Sequence, residues 1–323
     1  MLTSQQLREL VSSLGSRQVL SVYLDGHADD PLLRDVWSKV LDLELSRIRA
    51  AVPADERAER AELTRCIALL DAETNRLRQG IGAPGWAAFI TAEGVVYAEP
   101  QAVPMPTLVA WRRGVLVAPY LRALKEDTPA FIAVTDDERA DVYRYLRGRL
   151  TSVGHTRSPA ELDAVLLSKA EGDAWIVIGG AEGGARRAFA SLPDCLARRA
   201  LLTTNLARNA TPYEIAAAAA LGASTLRRAR DSQYVDAMLE LSSVAARAVT
   251  GLQATREAVD AGAARELMLT RHFIERQPDD AEDVVRAASG EDATIEVVSG
   301  EAAELLDDRG EGIGALLRVA ASV

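Results

Sequence analysis

Long apolar runs, cysteine pairs and histidine clusters are all missing from this 323-residue chain. No stretch approaches the ~20 apolar residues a membrane span needs. The opening MLTSQQLRELVSSLGSRQ has no apolar block of signal-peptide type. A cytoplasmic location with no membrane partner is therefore expected. Cys66 and Cys195 belong to no pair motif, which argues against a disulfide or a zinc site. Three histidines (His27, His155, His272) are too few for a histidine-rich metal centre. No Ser/His/Asp or Cys/His arrangement stands out, so no catalytic residue is assigned. No cofactor or metal is expected either.

What is present is an uneven charge. Residues 1–127 carry 15 basic and 17 acidic side chains, residues 128–228 carry 13 and 11, and residues 229–323 carry 9 and 19. The net −10 thus resides in the last third, and only the middle is net basic. A protein gripping nucleic acid with its whole surface would not divide its charge in this way. One that meets RNA through its middle and a protein through its acidic end would. No DNA partner is expected.

Periodicity divides the chain into three domains, 1–127, 128–228 and 229–323. QVLSVYLD (18–25) reads as a strand. Trp37, Leu41, Leu45, Ile48 and Val52, then Leu63, Ile67, Leu70 and Leu77, mark two helices broken at Pro53. WAAFIT, GVVYAEP and TLVAWRRGVLVAP supply strands, and YLRALKED (120–127) a short helix. The first domain is thus α+β around a helical hairpin. AFIAVT, ADVYRYLRG and RLTSVGH predict a three-strand meander, followed by a helix around 158–170, a buried strand at WIVIGG and a helix ended by Pro193. Thr211, Pro212 and Glu214 form a helix-start signal, opening a long helix that bridges into the last domain. There QYVDAMLELSSVA, GLQATREAVDAG, DAEDVVRAAS and GEAAELLDD read as helices, and ELMLT, ATIEVVS and GALLRVA as strands. This alternation indicates an α/β/α sandwich.

WIVIGGAEGGARRAF (175–189) is the stretch that first suggests chemistry. Its G-G-x-x-G-G is not the dinucleotide fingerprint, and no Gly-Lys-Ser/Thr follows, so it is not a Walker loop. One reading is that its glycines permit positive φ and close strand–helix approach. The other is anion contact through exposed amides or through Arg186 and Arg187. Arg144, Arg147, Arg149, His155 and Arg157 cluster on the meander with Tyr143 and Tyr145 interleaved. They form either a solvated strand face or a hairpin that grips an RNA backbone. LRRAR (226–230) is read as cations favouring a helix C-terminus. DDERAD (136–141) is an acidic turn without metal geometry. Asp279, Asp280, Glu282 and Asp283 suit the first turn of a helix. Trp111, with Arg112 and Arg113, is either a recognition tip or a buried anchor.

VVSGEAAELLDDRGEGIGALLRVA (297–320) resembles the end of the C-terminal domain of Pelota and the archaeal-eukaryotic class-1 release factors. Ser299, Gly300, Glu301, Gly312, Ile313, Ala315, Leu316, Leu317 and Arg318 carry the match. TGLQATREAVDAGAARELMLT, TPAFIAVTDDERADVYRYLRGRL and DAWIVIGGAEGGARRAF resemble further parts of that family in the same order. VLSVYLD followed by a helical hairpin resembles its bacterial branch, the archaeo-eukaryotic release-factor-like proteins, to which the hibernation factor Balon is related. The resemblance is close over 128–323 and loose over 1–127.

The resemblance implies a tRNA-shaped protein of three domains that binds the ribosome. It implies a middle domain facing ribosomal RNA and a C-terminal domain, similar to the kink-turn-binding ribosomal proteins, that meets a translation GTPase. In the release factors a Gly-Gly-Gln tripeptide sits between the meander and the next strand. Here that interval, Gly154 to Asp173, has none, nor does the rest of the chain. The stop-codon motif Asn-Ile-Lys-Ser is also missing. A non-hydrolytic factor of rescue or hibernation type is the leading expectation. A release or peptidyl-tRNA-cleaving factor with another loop, and a non-ribosomal RNA- or protein-binding module, are the alternatives.

Overall fold

The computed structural model describes residues 2, 4–26, 36–77, 80–126, 128–170, 174–204, 206–244, 247–291 and 293–318. His27, Asp127, Asp173, Val319 and Ala320, on which parts of the sequence reading fall, lie outside them. The fold is mixed α/β, with three sheets of four, five and four strands in chain order. Two compact units group the chain: residues 1–126, 238–297 and 305–323, and residues 127–237 with 298–304.

The first unit begins with α1 (Ser4–Leu14), β1 (Gln18–Asp25), α2 (Val36–Ala51), α3 (Arg57–Thr74), β2 (Gly85–Thr91), β3 (Gly94–Gln101), β4 (Leu108–Arg113) and α4 (Ala118–Glu126). The strands lie in the order β3-β2-β1-β4, and β1 runs antiparallel to both β2 and β4. Successive side chains of a strand face opposite sides. Leu20, Val22 and Leu24 therefore pack under the α2–α3 hairpin, while Val19 and Tyr23 pack with Leu7, Leu14 and Tyr120 of α1 and α4. Both faces are covered, which is why β1 and β2 are near-continuous apolar runs. The polar exception, Ser21, is buried and accepts the amide of Leu116 at 3.0 Å.

One element here is new and one expectation changes. The N-terminal residues form α1, whose Leu7, Val11 and Leu14 recur at helical spacing. And GVLVAP is not a strand: the chain leaves the sheet at Gly114, φ +78°, and enters α4 at Ala118, two residues before the expected start.

The second unit contains β5 (Ala130–Thr135), β6 (Ala140–Leu146), β7 (Arg149–Thr156), α5 (Leu162–Lys169), β8 (Trp175–Gly180), α6 (Glu182–Ala190), α7 (Asp194–Ala197), β9 (Ala200–Leu202) and most of α8 (Pro212–Val244). Its sheet is mixed, in the order β7-β6-β5-β8-β9, with β5, β8 and β9 parallel and β6 and β7 antiparallel. One face packs on α5, α6 and α7 through Phe131, Ile176 and Ile178, and the other on α8 through Ile132, Val177, Ile215 and Ala219. Gly222 lets α8 come this close, because a Cβ there would stand 2.5 Å from Val177. Thr211 and Glu214 exchange the hydrogen bonds of a capping box, with Glu214 N donating to Thr211 Oγ1 and Thr211 N to Glu214 Oε2.

α8 spans 33 residues without a break. The sequence pattern predicts a new helix from Gln233 and a cationic helix end at Leu226–Arg230. That end does not exist. Arg230 lies in mid-helix, with its guanidinium over the rings of Trp175 and Tyr234 at 5.8 and 5.2 Å. The favourable charge–dipole term of a C-terminus therefore does not apply to it.

The first unit resumes with the end of α8, then β10 (Ala248–Thr250), α9 (Leu252–Asp260), β11 (Ala264–Thr270), α10 (Arg271–Arg276), α11 (Pro278–Gly290), β12 (Thr294–Val298) up to Val297, α12 (Glu301–Gly310) from Leu305, and β13 (Ile313–Leu317). β13 pairs antiparallel with β10 and β11 in the order β10-β13-β11-β12. One face buries Leu267, Leu269 and Ala315 against α9 and α11. On β13, Gly314 leaves room for Met238 of α8, whose Sδ is 2.7 Å from where a Cβ would be. Within the second unit, Asp231 of α8 accepts both the amide and the hydroxyl of Ser299, at 3.0 and 2.9 Å, just before α12.

Candidate nucleic-acid interface

The cations singled out in the sequence fall into two groups on the five-stranded sheet. β6 and β7 are joined by Arg147 and Gly148, both with positive φ (52° and 74°), a type I′ hairpin turn. Arg147 therefore stands at the hairpin tip. Arg144 opposes Thr151, and Arg149 opposes Leu146 beside the turn. His155 and Arg157 lie near the far end of β7, about 24 Å away at ~3.4 Å per residue.

Strand alternation separates arginines from aromatics. Arg144 continues the face of Ala140 and Val142, and it is exposed. Tyr143 and Tyr145 point the other way and pack with Leu150 against the Ile132, Val177 and Ile215 cluster. The tyrosines are part of the core rather than a stacking platform for bases. The register also shifts between Val142 and Tyr143, so that His155 opposes Asp141. Among the described residues no carboxylate pairs with Arg144, Arg149 or Arg157.

Arg186 and Arg187 are differently placed. Arg186 pairs with Glu182 one turn back at 2.8 Å, and Arg187 with Asp137 at 2.8 Å. A phosphate would have to displace a carboxylate at either. The glycines beside them serve the fold. A Cβ on Gly180, φ +115°, would stand 2.1 Å from the Thr135 carbonyl oxygen, and one on Gly184 would stand 1.9 Å from that of Asp136. The strand-to-helix turn needs this backbone contact, so close approach accounts for IGGAEGG.

Asp136 organises the turn. Its carboxylate accepts the amides of Glu138 and Arg139, both at 2.8 Å, and pairs with Arg208 at 3.0 Å and Arg139 at 3.4 Å. The backbone hydrogen bonds, then the two arginines, hold its carboxyl below the ordinary aspartate range. Arg208 lies far from DDERAD in sequence, and only the β8–β9 crossover brings it there. Among the described residues no group of His, Cys, Asp and Glu is arranged to hold a metal, and no helix is long and apolar enough to cross a membrane.

The N-terminal candidate resolves as an anchor. Trp111 donates its indole N–H to Glu59 of α3 at 2.7 Å, and Arg112 pairs with Asp279 and Asp283 of α11 at 3.1 and 2.6 Å. The first-turn acids of α11 thus grip the N-terminal sheet. The largest surprise among them is Glu282, which has no exposed surface. Its place on the flank of the Ala281, Val284, Val285 and Ala288 stripe was the signal that it would be buried.

No family model matches the chain, and no curated protein matches it. Among solved structures it is similar to Archaeoglobus fulgidus Pelota, at 16% identity over 74% of this chain and 80% of that one, with a TM-score of 0.39. It is similar to S. cerevisiae Dom34, described as a translation termination-like factor in RNA quality control, at 12% identity over 61% and 65% of the two chains, TM-score 0.46. It is also similar to the archaeal translation termination factor aRF1, at 17% identity over 98% and 99%, TM-score 0.30.

Proposed function

We propose that this chain is a tRNA-mimicking translation factor that occupies the ribosomal A site in rescue or hibernation, with no hydrolytic step of its own. The observation that carries the reading is the connection between β7 and β8. It stands where the release factors, which residues 128–323 resemble in order, carry their Gly-Gly-Gln loop. In this chain it folds down instead: β7 ends at Thr156, Pro159 opens a short 3-10 turn capped by Ser158, and Leu162 and Leu166 of α5 are fully buried against the sheet. The described part of the connection, as far as Ala170, is thus held on the sheet, which supports a factor without a Gly-Gly-Gln tip.

Binding in this reading comes from the β6–β7 hairpin, with Arg144, Arg147 and Arg149 meeting ribosomal RNA phosphates. His155, Arg157, Arg186 and Arg187 form a second, weaker group. The segments 1–127, 128–228 and 229–323 act as its three functional parts, and the acidic last part meets a translation GTPase. Phosphate contacts release counterions, so affinity falls with salt. The test is co-sedimentation with 70S ribosomes across a salt series, alongside a peptide-release assay on loaded ribosomes. Salt-sensitive binding without release supports the reading. Release activity would overturn its non-hydrolytic part, and no binding at low salt would overturn the whole.

A further inference from the structure

The five-stranded sheet of the second unit has two unlike edges. β7, at one edge, carries Arg149, Thr151, Ser152 and His155, polar groups that discourage a further strand. β9, at the other, is Ala200-Leu201-Leu202, with no charge and no proline. The β9 backbone is half used. Ile176 of β8 donates its amide to the Arg199 carbonyl at 2.9 Å, and Thr203 donates to the Ile178 carbonyl at 2.8 Å. Backbone groups alternate in direction along a strand, so Arg199, Leu201 and Thr203 face β8 while Ala200 and Leu202 face outward. Among the described residues no strand pairs with that outward side.

Beside this edge lies a groove of about 490 Å³, between residues 201–204 and the first half of α8. Its helical wall is the stripe Tyr213, Ala217, Leu221 and Thr225, spaced four residues apart on one face. Tyr213 is 83% exposed and Leu221 61%, more than any other large apolar side chain among the described residues. An apolar side chain seated between them would remove this surface from water.

We propose that β9 accepts a short extended segment of a protein partner as a sixth strand, its large apolar side chains lying in the groove against Tyr213 and Leu221. Main-chain bonds to Ala200 and Leu202 supply the pairing, and the groove supplies the preference for leucine, methionine or phenylalanine. An edge of three residues runs only about 10 Å. Two such edges paired cover little of the ~800 Å² per partner that a stable dimer buries, which favours a short segment over a second copy of this chain. The hairpin arginines lie at the opposite edge of the sheet, so the site is independent of ribosome binding.

The test is fluorescence anisotropy of the full-length chain with capped, labelled six-residue peptides that alternate threonine with leucine, methionine or phenylalanine. At least one should bind saturably, one to one. Of its two alternate sets of amides, N-methylation of one should weaken binding at least tenfold and of the other should not. Leu221→Glu, at an exposed position, should also weaken it at least tenfold. Leu202→Pro removes an outward donor without touching the β8 ladder and is the second variant. Absence of binding by all three peptides overturns the proposal. So does binding that survives both variants. Equal effects of the two N-methylated sets overturn the strand pairing. Self-association of the native chain that Leu221→Glu abolishes would make a second copy the occupant and overturn the peptide assignment.

Discussion

Glu282 accepts the amide N–H of Ala118 at 3.1 Å from a position with no exposed surface. Burial pushes its carboxyl up to about 7, against the pull of the Val117 and Ala118 amides and of Arg286 and Arg112. Tyr23 lies close enough that Glu282, after burial itself, raises the tyrosine's pKa as well. Because the folded value exceeds the unfolded one, this group's contribution is complete below about pH 4.5 and is lost as pH rises through about 7. Between pH 5.5 and 8 that loss amounts to about 2 kcal/mol. Urea unfolding at the two pH values should show this difference in the native chain, and Glu282→Gln should lack it. An equal pH dependence in both proteins would show that Glu282 does not titrate in this range.

The glycine stretch makes a second prediction. Gly180→Ala and Gly184→Ala each drive a Cβ into backbone carbonyl oxygen and should cost more than about 3 kcal/mol or prevent folding. Gly183→Ala meets only the ends of the Asp137 and Arg187 side chains, at 3.2 and 3.4 Å, which can move, and should be near neutral. Thermal unfolding of the three variants measures this. Equal tolerance at all three would contradict the close-approach reading and revive an anion site.

Arg147 occupies a left-handed conformation that costs a non-glycine residue about 1 kcal/mol. Arg147→Asn gives the turn the Asn-Gly pair that type I′ hairpins favour. It should raise stability by up to about 1 kcal/mol while weakening ribosome binding. A variant both less stable and equally bound would show that the arginine is kept for the fold.

The hairpin arginines should differ from those on α6. Arg144→Glu with Arg149→Glu removes two cations that pair with no carboxylate among the described residues and should flatten the salt dependence of ribosome binding by about one unit of slope per lost phosphate contact. Arg186→Ala, which removes a cation already paired with Glu182, should change binding little. Filter binding or sedimentation over a range of salt compares them.

Most of the fold was legible because its strands and helices carry their own periodicity. Gln18–Asp25, the α2–α3 hairpin, the β5–β6–β7 meander and the capped start of α8 all lie where the pattern puts them. The full length of α8 is hidden in the sequence because a polar, alanine-rich helix has little apolar stripe to follow, and the cations up to Arg230 resemble a helix end. In fact Arg230 is held by Trp175, 55 residues earlier, a contact that no local pattern reveals. The candidate site was legible in the same partial way. The arginines of the hairpin are visible in the sequence, but the expectation that Tyr143 and Tyr145 join them fails: the period of two turns both tyrosines to the opposite face, into the core. The ion pairs of Arg112, Arg187 and Arg208 depend on crossovers and were not legible.

The central claim is that this chain takes the place of tRNA in the A site. Its most direct test is competition on 70S ribosomes with the P site filled, titrating A-site tRNA against the bound chain at fixed low salt. The account predicts that cognate tRNA displaces the chain stoichiometrically. Undiminished binding with the A site filled would contradict it.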